Sequence, residues 1–240
     1  MINDAQEYIY IFTPYLIVIS ELMASPAKPC VFVLGGSKIS DAFLMMETVL
    51  SGGAADTVLT GGLVGNILLA AKGEAIGQGS LDFIYKSNYG EFIEKAKTIY
   101  ARYADKIVLP ADLGYVENGV RRECRIGAVP TEICAVDIGS ETARQYESII
   151  LAAKTVFVNG PMGIFEQPET ELGTKTVFEA LGNTAGYTVV GGGDSVTAAA
   201  KYQVKDKLGY VCTGGGALIR FLTGEELPVV KALRHAAAAL

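Results

Sequence analysis

The hydrophobic positions along this chain fall into short β-branched runs separated by longer stretches of helical periodicity. Cys30 to Leu34 predicts a strand, and Ile39 to Leu50 a helix with Phe43, Leu44, Met46 and Leu50 on its apolar side. Thr57 to Thr60 predicts a second strand and Leu63 to about Ala71 a second helix. After a glycine turn at Gly77 and Gly79 comes an amphipathic helix from Tyr89 to Tyr103, then a strand over 106–109 that Pro110 ends. Val120 to Val129 has few helix signals and reads as an irregular or hairpin excursion off the sheet. Ile133 to Ile138 is strand-like. Ser140 is placed to cap a helix with Glu141 in its first turn, running to about Ala153. Thr155 to Val158, Tyr187 to Val190 and Tyr210 to Thr213 complete the strands. Helices are predicted at about Thr174 to Leu181, from Asp194-Ser195 through Ala200, and in two last segments split near Gly224 and Pro228.

Strand and helix alternate with no linker or composition break over residues 30–234. With right-handed crossovers this predicts an α/β fold, a doubly wound Rossmann-like parallel sheet of about six strands with helices on both faces. Residues 1–28 stand apart. Tyr8 to Ile19 is strongly apolar, but Asp4 and Glu7 precede it and Pro14 interrupts it. It is too short and broken to span a bilayer and lacks the basic start and small-residue cleavage site of a signal peptide. It reads as an element packed on the body of the protein, or as an apolar patch for a partner or for self-association.

Composition narrows the function. Half of the 240 residues are hydrophobic, 19% are charged, and the net charge is −6. A nucleic-acid surface needs clustered Lys and Arg, and the one local group, Arg121, Arg122 and Arg125, is interleaved with Glu117 and Glu123. It reads as a solvated hairpin or loop. Cys30, Cys124, Cys134 and Cys212 are far apart without C-x-x-C spacing, which fits a reducing cytoplasm. The single histidine, His235, reads as a surface helix residue and leaves neither a histidine zinc site nor a Ser-His-Asp triad.

The chemistry gathers where strands stop. Apolar runs end in Gly35-Gly36-Ser37-Lys38, Gly61-Gly62, Asn159-Gly160-Pro161, Gly191-Gly192-Gly193-Asp194-Ser195 and Gly214-Gly215-Gly216. In a parallel sheet these loops share one edge, where such folds bind ligands. Glycines admit close backbone approach, and a helix opening at Asp194-Ser195 offers unpartnered N–H groups and the positive end of its dipole. That is a seat for phosphate, and Asp194 beside it calls for a bridging hard cation such as Mg²⁺. Read alone, the junction is more simply a helix capped by Asp194 or Ser195, and it is the recurrence of such junctions that favours the phosphate seat. No G-x-x-x-x-G-K-[ST] occurs, and Gly35-Gly36-Ser37-Lys38 is not the G-x-G-x-x-G of a dinucleotide fold. A lysine, an acid for Mg²⁺ and several glycine-opened helices are the equipment of phosphoryl transfer.

Gly35-Gly36-Ser37-Lys38, Asn159-Gly160-Pro161-Met162-Gly163-Ile164-Phe165-Glu166, Gly191-Gly192-Gly193-Asp194-Ser195 and Thr213-Gly214-Gly215-Gly216-Ala217 resemble, in order and spacing, the C-terminal nucleotide-binding half of phosphoglycerate kinase. Leu109-Pro110-Ala111-Asp112, Asp137-Ile138-Gly139, Gly173-Thr174-Lys175 and Leu227-Pro228 add smaller matches, so the likeness covers about residues 30–234. It implies a nucleotide-binding domain over 29–240 and phosphoryl transfer between 1,3-bisphosphoglycerate with ADP and 3-phosphoglycerate with ATP, with Mg²⁺. By the same resemblance Lys38 neutralises the transferring phosphoryl group, Asn159 lies beside the phosphates, Glu166 holds the ribose and Asp194 the Mg²⁺. Ser195 and its helix N-terminus take the β-phosphate, and the Gly214 to Gly216 amides, Gly214 and Gly215 foremost, face the group in flight. Gly35, Gly36, Gly61, Gly62, Pro161, Gly163, Gly192 and Gly193 line the nucleotide.

Ala42 stands where many members carry a second lysine, an archaeal-type pattern, and Ser140 where many carry proline. The family's N-terminal half, with its basic patch for phosphoglycerate, has no counterpart here. The resemblance therefore implies one jaw of a two-domain kinase, inactive or very weak unless an acceptor half is supplied. The alternative is a non-enzymatic module that binds the nucleotide without reaction.

Overall fold

Every residue of the Cys30–Leu34 run is buried, which a strand allows only when helices cover both faces of its sheet. The computed structural model describes residue 18, residues 21–212 and residues 220, 221 and 231. Along the chain come β1 (Cys30–Leu34), α1 (Ile39–Ser51), β2 (Thr57–Thr60), α2 (Gly62–Lys72), α3 (Gln78–Lys86), α4 (Glu91–Tyr103), β3 (Ile107–Val108), β4 (Asp112–Glu117), β5 (Val120–Arg125), β6 (Asp137–Ile138), α5 (Ser140–Ala152), β7 (Thr155–Asn159), α6 (Leu172–Asn183), β8 (Tyr187–Gly191), α7 (Gly193–Lys201) and β9 (Tyr210–Cys212). Six strands form a parallel sheet in the order β3-β2-β1-β7-β8-β9. The doubly wound α/β fold read from the sequence is the fold observed.

The two-residue period of a strand sorts its side chains between two cores. Cys30, Phe32, Leu34, Val58, Phe157 and Val189 enter one, packed with Phe43, Met46 and Val49 of α1 and Val64, Ile67 and Leu68 of α2. Val31, Val33, Leu59, Val156, Val158 and Val190 enter the other, with Tyr146 and Ile150 of α5, Val177 and Phe178 of α6, and Ala198 and Ala199 of α7. Helices α1 to α4 thus cover one face and α5 to α7 the opposite one. Tyr146, fully buried, spans from α5 to the sheet edge, its hydroxyl lying 2.7 Å from the Thr60 carbonyl and 3.0 Å from that of Val108.

Three local expectations change, and one of two open readings, the hairpin, is the one observed. Helix α3 fills what was read as a glycine turn: Gly77 precedes it at φ +83°, and its apolar face is short, with Phe83 and Tyr85 exposed. The excursion after Pro110 is a hairpin, β4 with β5, joined by β6 in an antiparallel three-stranded sheet. Of the strand-like 133–138 only Asp137–Ile138 forms a strand, because side chains hold the backbone before it. Asn66 Nδ2 donates to the Ala135 carbonyl at 3.2 Å, and the Ala135 N–H donates to Ser80 Oγ at 2.8 Å. Ser140 does not cap α5. Gly139 precedes the helix, and the cap comes from Asp112 on β4, whose carboxylate accepts from the N–H groups of Glu141 (2.9 Å) and Thr142 (2.8 Å).

Val18 packs against the first core. The rest of the Tyr8–Ile19 segment apart from that residue, Thr213 and Gly214 to Ala217, the segments around Gly224 and Pro228, and His235 lie outside the described residues. Among the described residues no helix is long and apolar enough to cross a membrane.

Removing the Asp112 cap leaves two buried donors at the start of α5 without acceptors. Asp112→Ala should lower the unfolding free energy by about 2 kcal/mol, read as a lower urea midpoint with unchanged slope, and no change would show that the cap is not structural.

Candidate functional site

Strands β2, β1, β7 and β8 lie side by side and run the same way, so the loops that follow them meet along one edge of the sheet. They meet by sharing backbone hydrogen bonds. The Gly36 N–H donates to the Pro161 carbonyl and the Gly62 N–H to the Met162 carbonyl, both at 2.7 Å. Gly35 donates to Asn159 at 2.9 Å and Gly61 to Leu34 at 3.2 Å. This closeness is what glycine is for here: a Cβ on Gly35 would stand 2.2 Å from the Pro161 oxygen, and one on Gly61 would stand 2.6 Å from Met162 Sδ. The amides of Gly35, Gly36, Gly61 and Gly62 are therefore spent on the loops themselves and offer no free donor to a ligand, although Gly35, Gly36 and Gly62 still form walls of the hollow.

Free donors remain at the start of α7. Its first turn begins at Gly193, around whose missing side chain the space is open, and helix geometry gives the N–H groups of that turn no intrahelical acceptor. Gly192 precedes it at φ +89°. Asp194 and Lys38 face each other across the cleft at 3.9 Å, each more than half exposed. Asn159 is half-buried and turns its Oδ1 toward Gly192, where a Cβ would come within 3.1 Å. The Ser195 side chain is fully buried, and its Oγ accepts from the Gly160 N–H at 2.8 Å. It ties α7 to the loop after β7, so what Ser195 offers the cleft is its backbone.

A cavity of about 310 Å³ continues from this cleft, sharing Gly36, Ser37 and Asp194 with it. Its walls are mainly apolar, from Leu63, Phe83, Ala135, Pro161, Ile164 and Phe165, with Asn66, Ser80 and Glu166 as polar groups. A flat apolar group with a polar tail toward Asp194 and Lys38 fits this shape. The structure thus brings Lys38, Asn159, Pro161, Gly163, Glu166, Gly192 and Asp194 to one connected hollow, beside which Gly193 begins α7. The calls on Gly214 and Gly215 lie outside the described residues. Phe83 and the stretch Cys134 to Val136 were not read as site walls; α3 itself was missed, and the 134–136 stretch looked like a strand. Cys134 is exposed.

Behind the wall lies a buried ion pair. Arg121 was expected on a solvated hairpin with Arg122 and Arg125, but only those two are well exposed. The Arg121 guanidinium reaches under the hairpin to the fully buried Asp137, donating at 2.9 Å to its Oδ2, and also donates to the carbonyls of Ile138 (2.9 Å) and Glu169 (3.2 Å). The Gly173 N–H donates to the same Oδ2 at 2.9 Å. Asp137 Oδ1 has no hydrogen-bond partner among the described residues and is wedged against Gly163 and Gly173, where a Cβ would stand 2.6 and 2.4 Å away. Burial outweighs the arginine and raises the Asp137 carboxyl from 3.8 to about 6.

Comparison with known proteins gives a family for the chain as a whole. The family model of phosphoglycerate kinase matches residues 12–225. The phosphoglycerate kinase of Methanothermobacter thermautotrophicus is 41% identical over 208 residues, covering 87% of this chain and 50% of that protein. The one from Methanothermus fervidus is 39% identical over 216 residues, covering 90% of this chain and 52% of that protein. In the crystal structure of phosphoglycerate kinase from Pyrococcus horikoshii, the fold superposes with a TM-score of 0.89 at 33% identity, covering 96% of this chain and 58% of that one. The chain spans about half the length of the curated relatives it matches.

Because Asp137 holds its proton more tightly folded than unfolded, the native state keeps that proton between about pH 4 and 6 and loses this stability as pH rises through the window. Asp137→Asn cannot titrate. Its unfolding free energy should therefore gain on the wild type between about pH 4 and pH 6.5, by at most about 3 kcal/mol. Urea titrations of both proteins at the two pH values read this, and a constant difference would mean the carboxyl is not shifted.

Proposed function

The chain belongs to the phosphoglycerate kinase family, and from that premise we propose that it supplies the Mg-ADP and Mg-ATP seat for phosphoryl transfer with 1,3-bisphosphoglycerate and 3-phosphoglycerate. The observation that carries this reading is the continuity of an apolar cavity with a cleft holding Lys38, Asp194 and the open first turn of α7. The base and ribose would fill the cavity, with Pro161, Gly163 and Glu166 along the wall, and the phosphates would reach the helix N-terminus beside Asn159.

Charge supports the same direction. Lys38 stands opposite Asp194 and near Asp41 in the cleft, so the carboxylates outnumber the lysine, and a polyphosphate needs a cation with it. Among the described residues no three His, Cys, Asp or Glu side chains gather as a metal cage. A single exposed carboxylate suits Mg²⁺, which keeps waters and takes its other ligands from phosphates. Held by Asp194, the ion would supply positive charge against the phosphates. The exposed Lys38–Asp194 pair is worth less than about 1 kcal/mol, so Lys38 can leave it for a phosphate at small cost. Its ammonium would then meet the charge that builds on the transferring phosphoryl oxygens. Gly214 and Gly215 would add amides to the same group. Phosphoglycerate would be held by an acceptor-binding half outside this chain, and the 240-residue chain would bind nucleotide with little or no turnover of its own.

A second reading, a nucleotide-binding module without reaction, asks of the site only the cavity and the open first turn of α7. Calorimetric titration with Mg-ADP, followed by coupled turnover with 3-phosphoglycerate with and without an added acceptor half, separates the two. Binding with turnover only in the presence of that half supports the kinase, binding without turnover in either case supports the module, and no binding at millimolar Mg-ADP rejects both. Asp194→Asn should weaken Mg-ADP more than metal-free ADP, and equal losses would remove Asp194 from the metal. Lys38→Ala should cut turnover by roughly 10²–10³ while changing the Mg-ADP dissociation constant less than about tenfold; proportional losses in both would make Lys38 a binding group only.

A further inference from the structure

Residues 164–171, of which Ile164, Phe165 and Glu166 line the cavity, belong to no helix or strand. Their hold comes from the far end of α7. Lys201, the last residue of that helix, donates to the Phe165 carbonyl at 2.5 Å and pairs with Glu171 Oε2 at 2.7 Å. One ammonium therefore closes both ends of the bend on which Glu166 sits. The Tyr202 hydroxyl donates to the same Glu171 oxygen at 3.3 Å, and the Tyr202 ring lies 5.6 Å from the Lys201 amine. Inside the bend, the Thr170 hydroxyl donates to the Ile164 carbonyl.

The opposite end of the same helix is the open turn at Gly193 and Asp194. A hydrogen-bonded helix is stiff, and its nine residues set about 13 Å between the two ends. A contact at Lys201 therefore fixes the bend relative to the phosphate seat. Residue 166 follows directly on the carbonyl that Lys201 grips, so the grip sets where the Glu166 backbone stands.

We propose that Lys201 is a positioning residue for the nucleotide site. By tying the end of α7 to Phe165 and Glu171, it holds Glu166 at a set place relative to the phosphate end of that helix and so favours a nucleoside diphosphate over bare diphosphate. This rests on the nucleotide reading given above, in which Glu166 meets the ribose. Without the ammonium, the Phe165 carbonyl and the Glu171 carboxylate lose their shared donor, and the bend can settle in other shapes. Loss of that order costs affinity for the nucleoside part and leaves the phosphate end unchanged.

The test uses the full chain and two ligands, Mg-ADP and Mg with inorganic diphosphate. Lys201→Met keeps the apolar stem without the charge; it should weaken Mg-ADP about tenfold or more and leave Mg-diphosphate within about twofold. Lys201→Arg should restore most of the loss. In a Glu166→Ala background, Lys201→Met should have no further effect on Mg-ADP. Equal weakening of both ligands, or a Lys201→Met effect of the same size with and without Glu166, would overturn the role. Should Lys201→Met not fold, Glu171→Gln loosens the same grip from the other side and is read by the same comparisons. A wild type that fails to bind Mg-ADP rejects the nucleotide reading itself, whereas a wild type that binds it no better than Lys201→Met rejects only the positioning role.

Discussion

Backbone hydrogen bonds between neighbouring loops are the constraint from which the site follows. The carbonyls of Pro161 and Met162 accept from Gly36 and Gly62 at 2.7 Å, and at that separation no side chain fits on Gly35 or Gly61. The loop after β7 can thus lie across the ends of β1 and β2 only because those strands run into glycine pairs. Once it does, Pro161, Ile164 and Phe165 become a cavity wall, and Ser195 joins the same knot through its bond from Gly160. The polar work of most of these glycines is complete before any ligand arrives. What remains open is the first turn of α7 and the loosely paired Lys38 and Asp194.

The supports of this knot come from distant parts of the chain. Asp112 starts α5, and Arg121 reaches through the hairpin to Asp137, Ile138 and Glu169. The Arg121–Asp137 pair sits where burial is strong enough to raise the acid to about 6, a cost that good hydrogen bonding offsets only in part. In exchange, the hairpin, the start of α6 and the stretch leading into Glu169 share one anchor.

Much of the fold was legible in the sequence because parallel strands covered on both faces must be apolar at every position, as Cys30–Leu34 and Val156–Val158 are. Helix α3 was not legible: Gly77 and Gly79 punctuate its start, and Phe83 and Tyr85 face outward. The 133–138 stretch has strand composition, but Asn66 and Ser80 side chains take the hydrogen bonds a neighbouring strand would have supplied. The gathering of Lys38, Asn159 and Asp194 could be read from strand ends, since a parallel sheet puts those ends together, whereas Glu166 was implied only by the family resemblance. The partners of Arg121 and Lys201 could not be read. Asp137 and Phe165 lie 16 and 36 residues away, and nothing in the local pattern distinguishes these two cations from solvated ones. Glycine was misjudged for a related reason: a sequence reports the missing side chain and is silent on whether a ligand or another loop comes close.

A floor stitched in this way has little freedom to yield. Each of its loops shares backbone bonds with a neighbouring loop or strand end, so displacing one drags on the next, and the sheet beneath is packed from both sides. Pressure applied at the phosphate end of α7 would pass through the slab to its opposite rim without being absorbed. Any motion of this floor would then carry its loops together, as a single stiff plate.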